Sequence, residues 1–141
     1  MVKIIVKNNF GNLRRRIIKK DQGFTKFLTE VAFLLNGKIQ RRVQGSGRGL
    51  KGIMTKYSAS YSRTRAKRGR QTSKRDLTFT GRMWQSLTVI AKPSRKHAQM
   101  FFSGAEDNRK AFFNDKRTPF FGLTASEQKF LNDELKKFSK L

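Results

Sequence analysis

The chain has 141 residues, of which 33 are Lys or Arg and 9 are Asp or Glu, so its formal net charge is +24. A charge of this size predicts a polyanionic partner, most often nucleic acid. This length predicts a single domain over residues 1–141, and the lack of cysteine excludes a disulfide framework and a cysteine zinc site. No apolar run approaches the roughly 20 residues that cross a bilayer, so we expect no membrane partner.

The first twenty residues predict one strand. Residues 2–7 are rich in Val and Ile with Lys interleaved, which is the composition of a short β-strand. The Asn- and Gly-containing residues 8–12 then predict a turn. The segment Leu13–Lys20 stays ambiguous, because Leu13 and Ile17 have helical spacing while like charges crowd the segment.

A long amphipathic helix is predicted next. Apolar residues recur at steps of three and four between Phe24 and Leu35, the spacing of a helix with one apolar face. Asp21 is the expected N-terminal cap, where its negative charge suits the positive end of the helix dipole. The helix is expected to reach about Val43, with an interruption or fraying at Asn36-Gly37.

A flexible basic arm is predicted over about residues 44–75. The sequence Gly-Ser-Gly-Arg-Gly at 45–49 indicates a hinge rather than a phosphate-binding P-loop, because the Gly-Lys-Ser/Thr ending is missing and a helix, not a strand, precedes it. The rest is rich in Ser, Thr, Arg and Lys, which favours a long loop or extended arm that orders on binding. Tyr57 and Tyr61 offer rings on which bases can stack.

Positive charge is concentrated in this part of the chain. From Arg41 to Arg75 there are 12 basic residues and no acidic one. Such a run neutralises phosphates without regard to base sequence, so we expect nucleic-acid contact without sequence-specific readout. The alternative is a solvated loop that contacts acidic protein partners. The predicted contact residues are Arg41, Arg42, Arg48, Lys51, Lys56, Arg63, Arg65, Lys67, Arg68, Arg70, Lys74 and Arg75.

The middle of the chain predicts a helix and a hairpin. Residues 77–87 have an apolar face and predict a short helix, with Thr80 as a cap. The segments Thr88–Lys92 and His97–Phe102 have strand composition. They predict an antiparallel hairpin joined at Pro93–Lys96.

Two helices are predicted for the C-terminal third. The first covers Ala105–Lys116, and its expected core anchors are Ala111, Phe112 and Phe113. The second begins with a capping box, Thr-Ala-Ser-Glu at 124–127, and runs to about Ser139. Together the elements predict an α+β domain with a long amphipathic helix in its N-terminal half, a small antiparallel sheet, an extended basic arm and a capped C-terminal helix.

Few side chains indicate catalysis or metal binding. His97 is the single histidine, and no second histidine, cysteine or acidic neighbour at ligand spacing accompanies it, so we expect a lone surface or half-buried histidine. A metal-dependent nuclease is the alternative, and it would need clustered carboxylates. The available candidates are Asp76, Glu106, Asp107 and Asp115. We therefore predict no catalytic residue, no metal, no cofactor and no enzymatic activity.

One segment carries a family resemblance. Residues 76–87, Asp-Leu-Thr-Phe-Thr-Gly-Arg-Met-Trp-Gln-Ser-Leu, resemble the Leu-x-x-Thr-Gly-Arg/Asn-Leu-x-x-Ser-Leu/Ile segment of phage minor tail and virion-morphogenesis proteins, also called tail-completion or neck proteins. In that family a basic, Ser- and Thr-rich segment precedes it, as Tyr57–Arg70 does here, and a strand pair follows. The matching residues are Thr80, Gly81, Arg82, Ser86 and Leu87.

A second segment strengthens the resemblance. Residues 117–124, Arg-Thr-Pro-Phe-Phe-Gly-Leu-Thr, are similar to the Arg-Pro-Phe-Leu-Gly-Leu-Ser block that precedes the closing helix of that family. Thr118 is an insertion, and residues 110–116 lack the His and Gly of a Tyr-Ala-x-x-His-x-x-Gly stretch common in relatives. The matching residues are Arg117, Pro119, Phe120, Phe121, Gly122 and Leu123.

The resemblance implies a structural role in the virion, which assembles in the host cytoplasm. Such proteins join the DNA-filled head to the tail, often as rings. The implied partners are other copies of the chain, the head–tail connector, the tail terminator or tube, and packaged double-stranded DNA. Phe120 and Phe121, after Pro119, then anchor the C-terminal helix or an intersubunit contact. The alternative is that both belong to the ordinary core. Composition alone favours a different protein class, a non-sequence-specific nucleic-acid-binding protein of ribosomal or nucleoid type.

Overall fold

The computed structural model describes residues 3–6, 21–78, 80–92 and 97–140. The turn predicted at 8–12, the segment 13–20 and the hairpin turn at 93–96 lie outside the described residues. The side chain of Asp21, the expected helix cap, also lies outside them. The described elements form an α+β fold, as predicted.

The sheet has three antiparallel strands in the order β1-β5-β4. Strand β1 is Lys3–Val6, β4 is Leu87–Lys92 and β5 is His97–Phe102. The predicted hairpin is confirmed by the β4–β5 register, in which Leu87 faces Phe102 and Lys92 faces His97. The pairing of β1 with β5 was not predicted from the sequence.

Helix α1, Asp21–Gln40, is the predicted long helix, and it continues through one wider π-helical turn at Arg41–Gly45. The interruption expected at Asn36-Gly37 is wrong, because the helix runs through both residues. It packs on β4, on β5 and on the C-terminal helix. Residues at one-turn spacing on its apolar face are fully buried, among them Leu28, Leu35 and Ile39. Leu34 is 54% exposed, because its position on the helix falls at the edge of this face.

The C-terminal helix of the sequence prediction is confirmed. It covers Ala125–Lys140 and becomes α5 in chain order. Its capping box forms as expected: the Thr124 N–H donates to Glu127 Oε2 at 2.8 Å, and the Glu127 N–H donates to Thr124 Oγ1 at 3.4 Å. The Phe138 ring stacks on that of Phe27 with centroids 4.4 Å apart, which ties α5 to α1.

The helix predicted over 77–87 is wrong in extent. Only Arg82–Gln85 is helical, as α3. Leu77 has a φ of 54° and Gly81 a φ of 84°, and these left-handed conformations are incompatible with a continuous right-handed helix. Gly81, rather than the predicted Thr80, is the N-cap residue.

The helix predicted over 105–116 is confirmed as α4, Ala105–Arg117. Of its three expected anchors only Ala111 is buried, while Phe112 is 47% and Phe113 56% exposed. The helix turns its Ala111 side toward α3 and β5, and the next two residues rotate by 100° steps away from that face. Two phenylalanine rings therefore lie at the surface.

The helices of the described ranges do not meet the requirements of a membrane span. None of them combines the length and the apolar character that crossing a bilayer needs.

Candidate nucleic-acid interface

The basic segment that was predicted to be an extended arm contains regular structure. Strands β2, Arg48–Gly49, and β3, Gly52–Ile53, pair antiparallel. A nine-residue helix, α2, follows at Ala59–Lys67. The expectation of an unstructured arm is therefore corrected for this segment.

Local capping defines both ends of α2. At the start, the Ser58 hydroxyl accepts a hydrogen bond from the Tyr61 N–H at 3.3 Å. At the end, Gly69 has a φ of 65°, and the N–H of Arg70 donates to the Arg65 carbonyl at 2.9 Å. A glycine in the left-handed conformation with this six-to-one bond is the usual way to stop a helix.

Arg65 anchors α2 to the rest of the protein. Its side chain is only 1% exposed, although Arg65 was predicted to contact a partner. Its Nε donates to the Gln71 carbonyl at 2.9 Å and its Nη1 to the Thr78 carbonyl at 2.6 Å. Its Nη2 lies 3.1 and 3.3 Å from the two oxygens of Asp76. Arg65 is therefore removed from the predicted contact surface, because no partner can reach it.

Asp76 is saturated with hydrogen bonds from within the chain. Besides Arg65, its carboxylate accepts from the Tyr57 hydroxyl at 3.0 Å, from Gln71 Nε2 at 2.7 Å and from the Thr78 N–H at 3.0 Å. The Tyr57 hydroxyl in turn accepts from the Leu77 N–H at 2.9 Å. This buried network connects the start of α2 to the segment that follows it.

The network raises the pKa of Tyr57 to about 12, first because burial disfavours the phenolate and second because Asp76 is negative. The neutral phenol stabilises the fold below pH 10, and this contribution is lost as pH rises toward 12. In a Tyr61→Phe variant Tyr57 is the only tyrosine. We expect its ultraviolet tyrosinate signal to appear near pH 12 in the folded protein and near pH 10 in denaturant; equal midpoints would contradict this assignment.

The other carboxylates considered for a nuclease are Glu106, Asp107 and Asp115; Asp107 is buried, and the other two bond within the chain. Asp115 Oδ1 accepts from the N–H groups of Phe120 and Phe121 at 2.8 and 2.9 Å. Glu106 forms an exposed ion pair with Lys110 at 2.8 Å. Over the described ranges no group of three His, Asp or Glu side chains is arranged to hold a metal ion. His97, which was expected at the surface or half-buried, is instead buried at the start of β5.

Arg42 locks the C-terminal block against the basic segment. Its Nε pairs with Glu127 Oε1 at 2.8 Å, and its Nη2 donates to the carbonyls of Phe120 and Gly122 at 3.2 and 3.0 Å. Its Nη1 reaches the Arg48 carbonyl at 3.2 Å. A residue predicted to contact a partner thus fixes the closing helix and the preceding loop in place.

Two more of the predicted contact residues are partly buried and bond within the chain. Lys74 Nζ donates to the Gly45 carbonyl, and Arg75 Nη1 donates to Thr118 Oγ1 at 3.1 Å. The remaining predicted contact residues keep exposed side chains. These residues are Arg41, Arg48, Lys51, Lys56, Arg63, Lys67, Arg68 and Arg70.

The two family-like blocks pack against each other. The Trp84 ring lies 5.8 Å from that of Phe120, and the Phe102 ring lies 4.9 Å from that of Phe121. Both phenylalanines are buried, so within this chain they belong to the core, one of the alternatives that the sequence left open. Of the other matching residues Leu87 is buried, Leu123 and Gly122 are partly buried, and Arg82 is exposed.

Pro119 carries the contact between the second block and the basic segment. Its carbonyl accepts from the Leu50 N–H at 2.8 Å. A Cβ atom on Gly49 would lie 2.5 Å from that carbonyl oxygen, so only glycine permits this approach. The basic segment is thus bonded to the body at β2, at α2 and after Lys74.

Comparisons of the chain with protein-family models, with curated proteins and with solved structures give no match. The interpretation of its surface therefore depends on its own charge, burial and geometry.

Proposed function

We propose that this chain is a non-enzymatic structural protein that presents a basic surface to nucleic acid, in the neck or tail-completion region of a tailed bacteriophage. The observation that carries the proposal is that the cations of residues 41–75 fall into two groups, one at least partly buried and one exposed. Arg42, Arg65, Lys74 and Arg75 are at least partly buried and bonded within the chain, while the other eight have exposed side chains. The eight exposed charges therefore lie on a segment that is folded and bonded to the rest of the chain.

Nucleic acid suits this surface better than a protein partner does. Arg63 and Lys67 are one turn apart on α2, and Arg68 and Arg70 follow directly. Like charges at this spacing repel each other in the free protein, and a polyanion removes the repulsion while releasing counterions. Contacts of this kind fix the position of a duplex without reading its sequence.

The virion assignment is supported by the resemblance and by exposed apolar side chains. The two family-like segments pack together through Trp84 and Phe120, as expected if both belong to one core. Phe112 and Phe113 expose about half of their surface, which favours burial against neighbouring subunits. The proposed neighbours are further copies of this chain, the head–tail connector, and the tail terminator or tube.

Quantitative mass spectrometry of purified phage particles tests the proposal. The chain is counted against the major capsid protein in particles of the phage whose genome encodes it. We expect a low, fixed copy number, about that of one ring. Absence from particles, with recovery in ribosomal or nucleoid fractions, would overturn the virion assignment and favour the general nucleic-acid-binding protein that the charge of +24 also supports.

A further inference from the structure

We propose that the cavity between the start of α2 and the end of α4 is a binding site for a phosphate group. The cavity has a volume of about 450 Å³, and its lining includes Thr55, Ser58, Arg75, Arg117 and Thr118. The inference rests on the proposed function only for the source of the phosphate, a nucleic-acid backbone. The anion site itself is defined by the chemistry of its walls.

Arg75 is the central residue of this site. It is partly buried, yet unlike Arg42 and Arg65 it has no carboxylate partner among the described residues. Its Nε is buried and has no hydrogen-bond partner in that part of the chain. A partly buried cation without a counterion is costly, and a bound anion would remove that cost.

The guanidinium of Arg75 is already positioned for such an anion. Its Cζ lies 5.4 Å from the centre of the Tyr57 ring, and its Nη1 donates to Thr118 Oγ1 at 3.1 Å. Because the Thr118 hydroxyl accepts this bond, its own hydrogen remains available to a ligand oxygen. Guanidinium groups held in this way recognise phosphate through paired hydrogen bonds.

The other walls add positive charge and hydroxyl donors. Arg117 ends α4 with an exposed side chain that lines the cavity. Ser58 caps α2, so the positive end of that helix dipole also opens on the cavity. No carboxylate is among the described residues that line it. Two arginines, three Ser or Thr hydroxyls and the start of a helix thus line one cavity.

A second basic cavity differs from this one because its arginine already has a carboxylate partner. It has a volume of about 330 Å³ and is lined by Lys38, Arg41, Arg42, Ser126 and Glu127. Glu127 already neutralises Arg42 at 2.8 Å and occupies the place that an anion would take. The cavity at Arg75 has no such internal anion, which is why the inference is confined to it.

Titration of the folded chain with inorganic phosphate tests the site, followed by heteronuclear NMR and by calorimetry. Chloride at high concentration suppresses diffuse binding to the surface charge. We expect saturable binding at one site with shifts at Tyr61 and Thr118, and roughly tenfold weaker binding in Arg117→Gln. Arg109→Gln, an exposed arginine on the same helix, is the matched control and leaves binding unchanged.

Three outcomes would overturn the site. These are no saturable phosphate binding, equal effects of Arg117→Gln and Arg109→Gln, and saturable binding of an acidic peptide without phosphate binding. A second titration with a short DNA duplex separates the sources of phosphate: a selective loss in Arg117→Gln indicates a nucleic-acid backbone, and an unchanged duplex affinity indicates free phosphate. Equal loss of duplex binding in both arginine variants, with phosphate binding weakened only in Arg117→Gln, would count against the nucleic-acid surface and not against the site.

Discussion

Replacing Arg65 by Met is expected to lower the free energy of unfolding by about 3–5 kcal/mol. The substitution leaves the Asp76 carboxylate without its cation. It also removes the hydrogen bonds that the guanidinium of Arg65 donates to the carbonyls of Gln71 and Thr78 at 2.9 and 2.6 Å. An uncompensated buried charge and lost hydrogen bonds both destabilise the folded state. Urea unfolding followed by circular dichroism measures the effect.

Arg63→Met is the matched control for this prediction. Arg63 lies on the same helix, carries the same charge and is exposed, so its replacement should change the free energy of unfolding by less than about 0.5 kcal/mol. Adding Asp76→Asn to Arg65→Met should recover part of the loss, because the unpaired charge is removed. Equal stabilities of the two single variants would mean that the Arg65–Asp76 network does not hold α2.

The elements that the sequence predicted well are those with their own local signals. Helix α1 has an apolar face repeated over four turns, and α5 has a capping box followed by Leu131 and Leu135 on the buried side. The hairpin of β4 and β5 joins neighbouring segments of strand composition. The pairing of β1 with β5 joins segments some ninety residues apart, and no local pattern specifies such a partner.

Helix α2 was missed because its stability is not local. It has no apolar stripe, and its composition of Ser, Thr, Arg and Lys is that of a loop. Ser58 and Gly69 are ordinary start and stop residues and are visible in the sequence. Alone they do not predict a stable helix. The helix is stabilised by Arg65, whose partner Asp76 lies 11 residues further along the chain. A buried arginine cannot be distinguished from a surface one by composition.

The same limit applies to the candidate site. Counting charges located the basic segment, but it could not separate the four cations bonded within the chain from the eight that are exposed. The start of a helix at Ser58 and the end of another at Arg117 are brought together only by the tertiary fold. Arg117 was therefore predicted as part of a family-like block and not as a charge that lines a cavity.

Replacing the four cations on and after α2 by Gln is expected to weaken DNA binding strongly at low salt. The residues are Arg63, Lys67, Arg68 and Arg70, all exposed. Each phosphate contact contributes about 0.9 to the slope of log K against log salt, so the slope should become less negative by about 3–4. Fluorescence anisotropy with a duplex of arbitrary sequence, measured from about 50 to 200 mM salt, gives both slopes.

Net charge alone could produce part of this loss, so a charge-matched control decides the interpretation. Lys26, Arg109, Lys116 and Lys136 are exposed cations on α1, α4 and α5, and their replacement by Gln removes the same charge. If α2 carries the interface, this control keeps nearly the full slope, because a salt slope counts phosphate contacts rather than distant charge. Equal slopes in the two variants would instead mean that DNA senses the whole basic surface, and that the folding of residues 41–75 serves another contact.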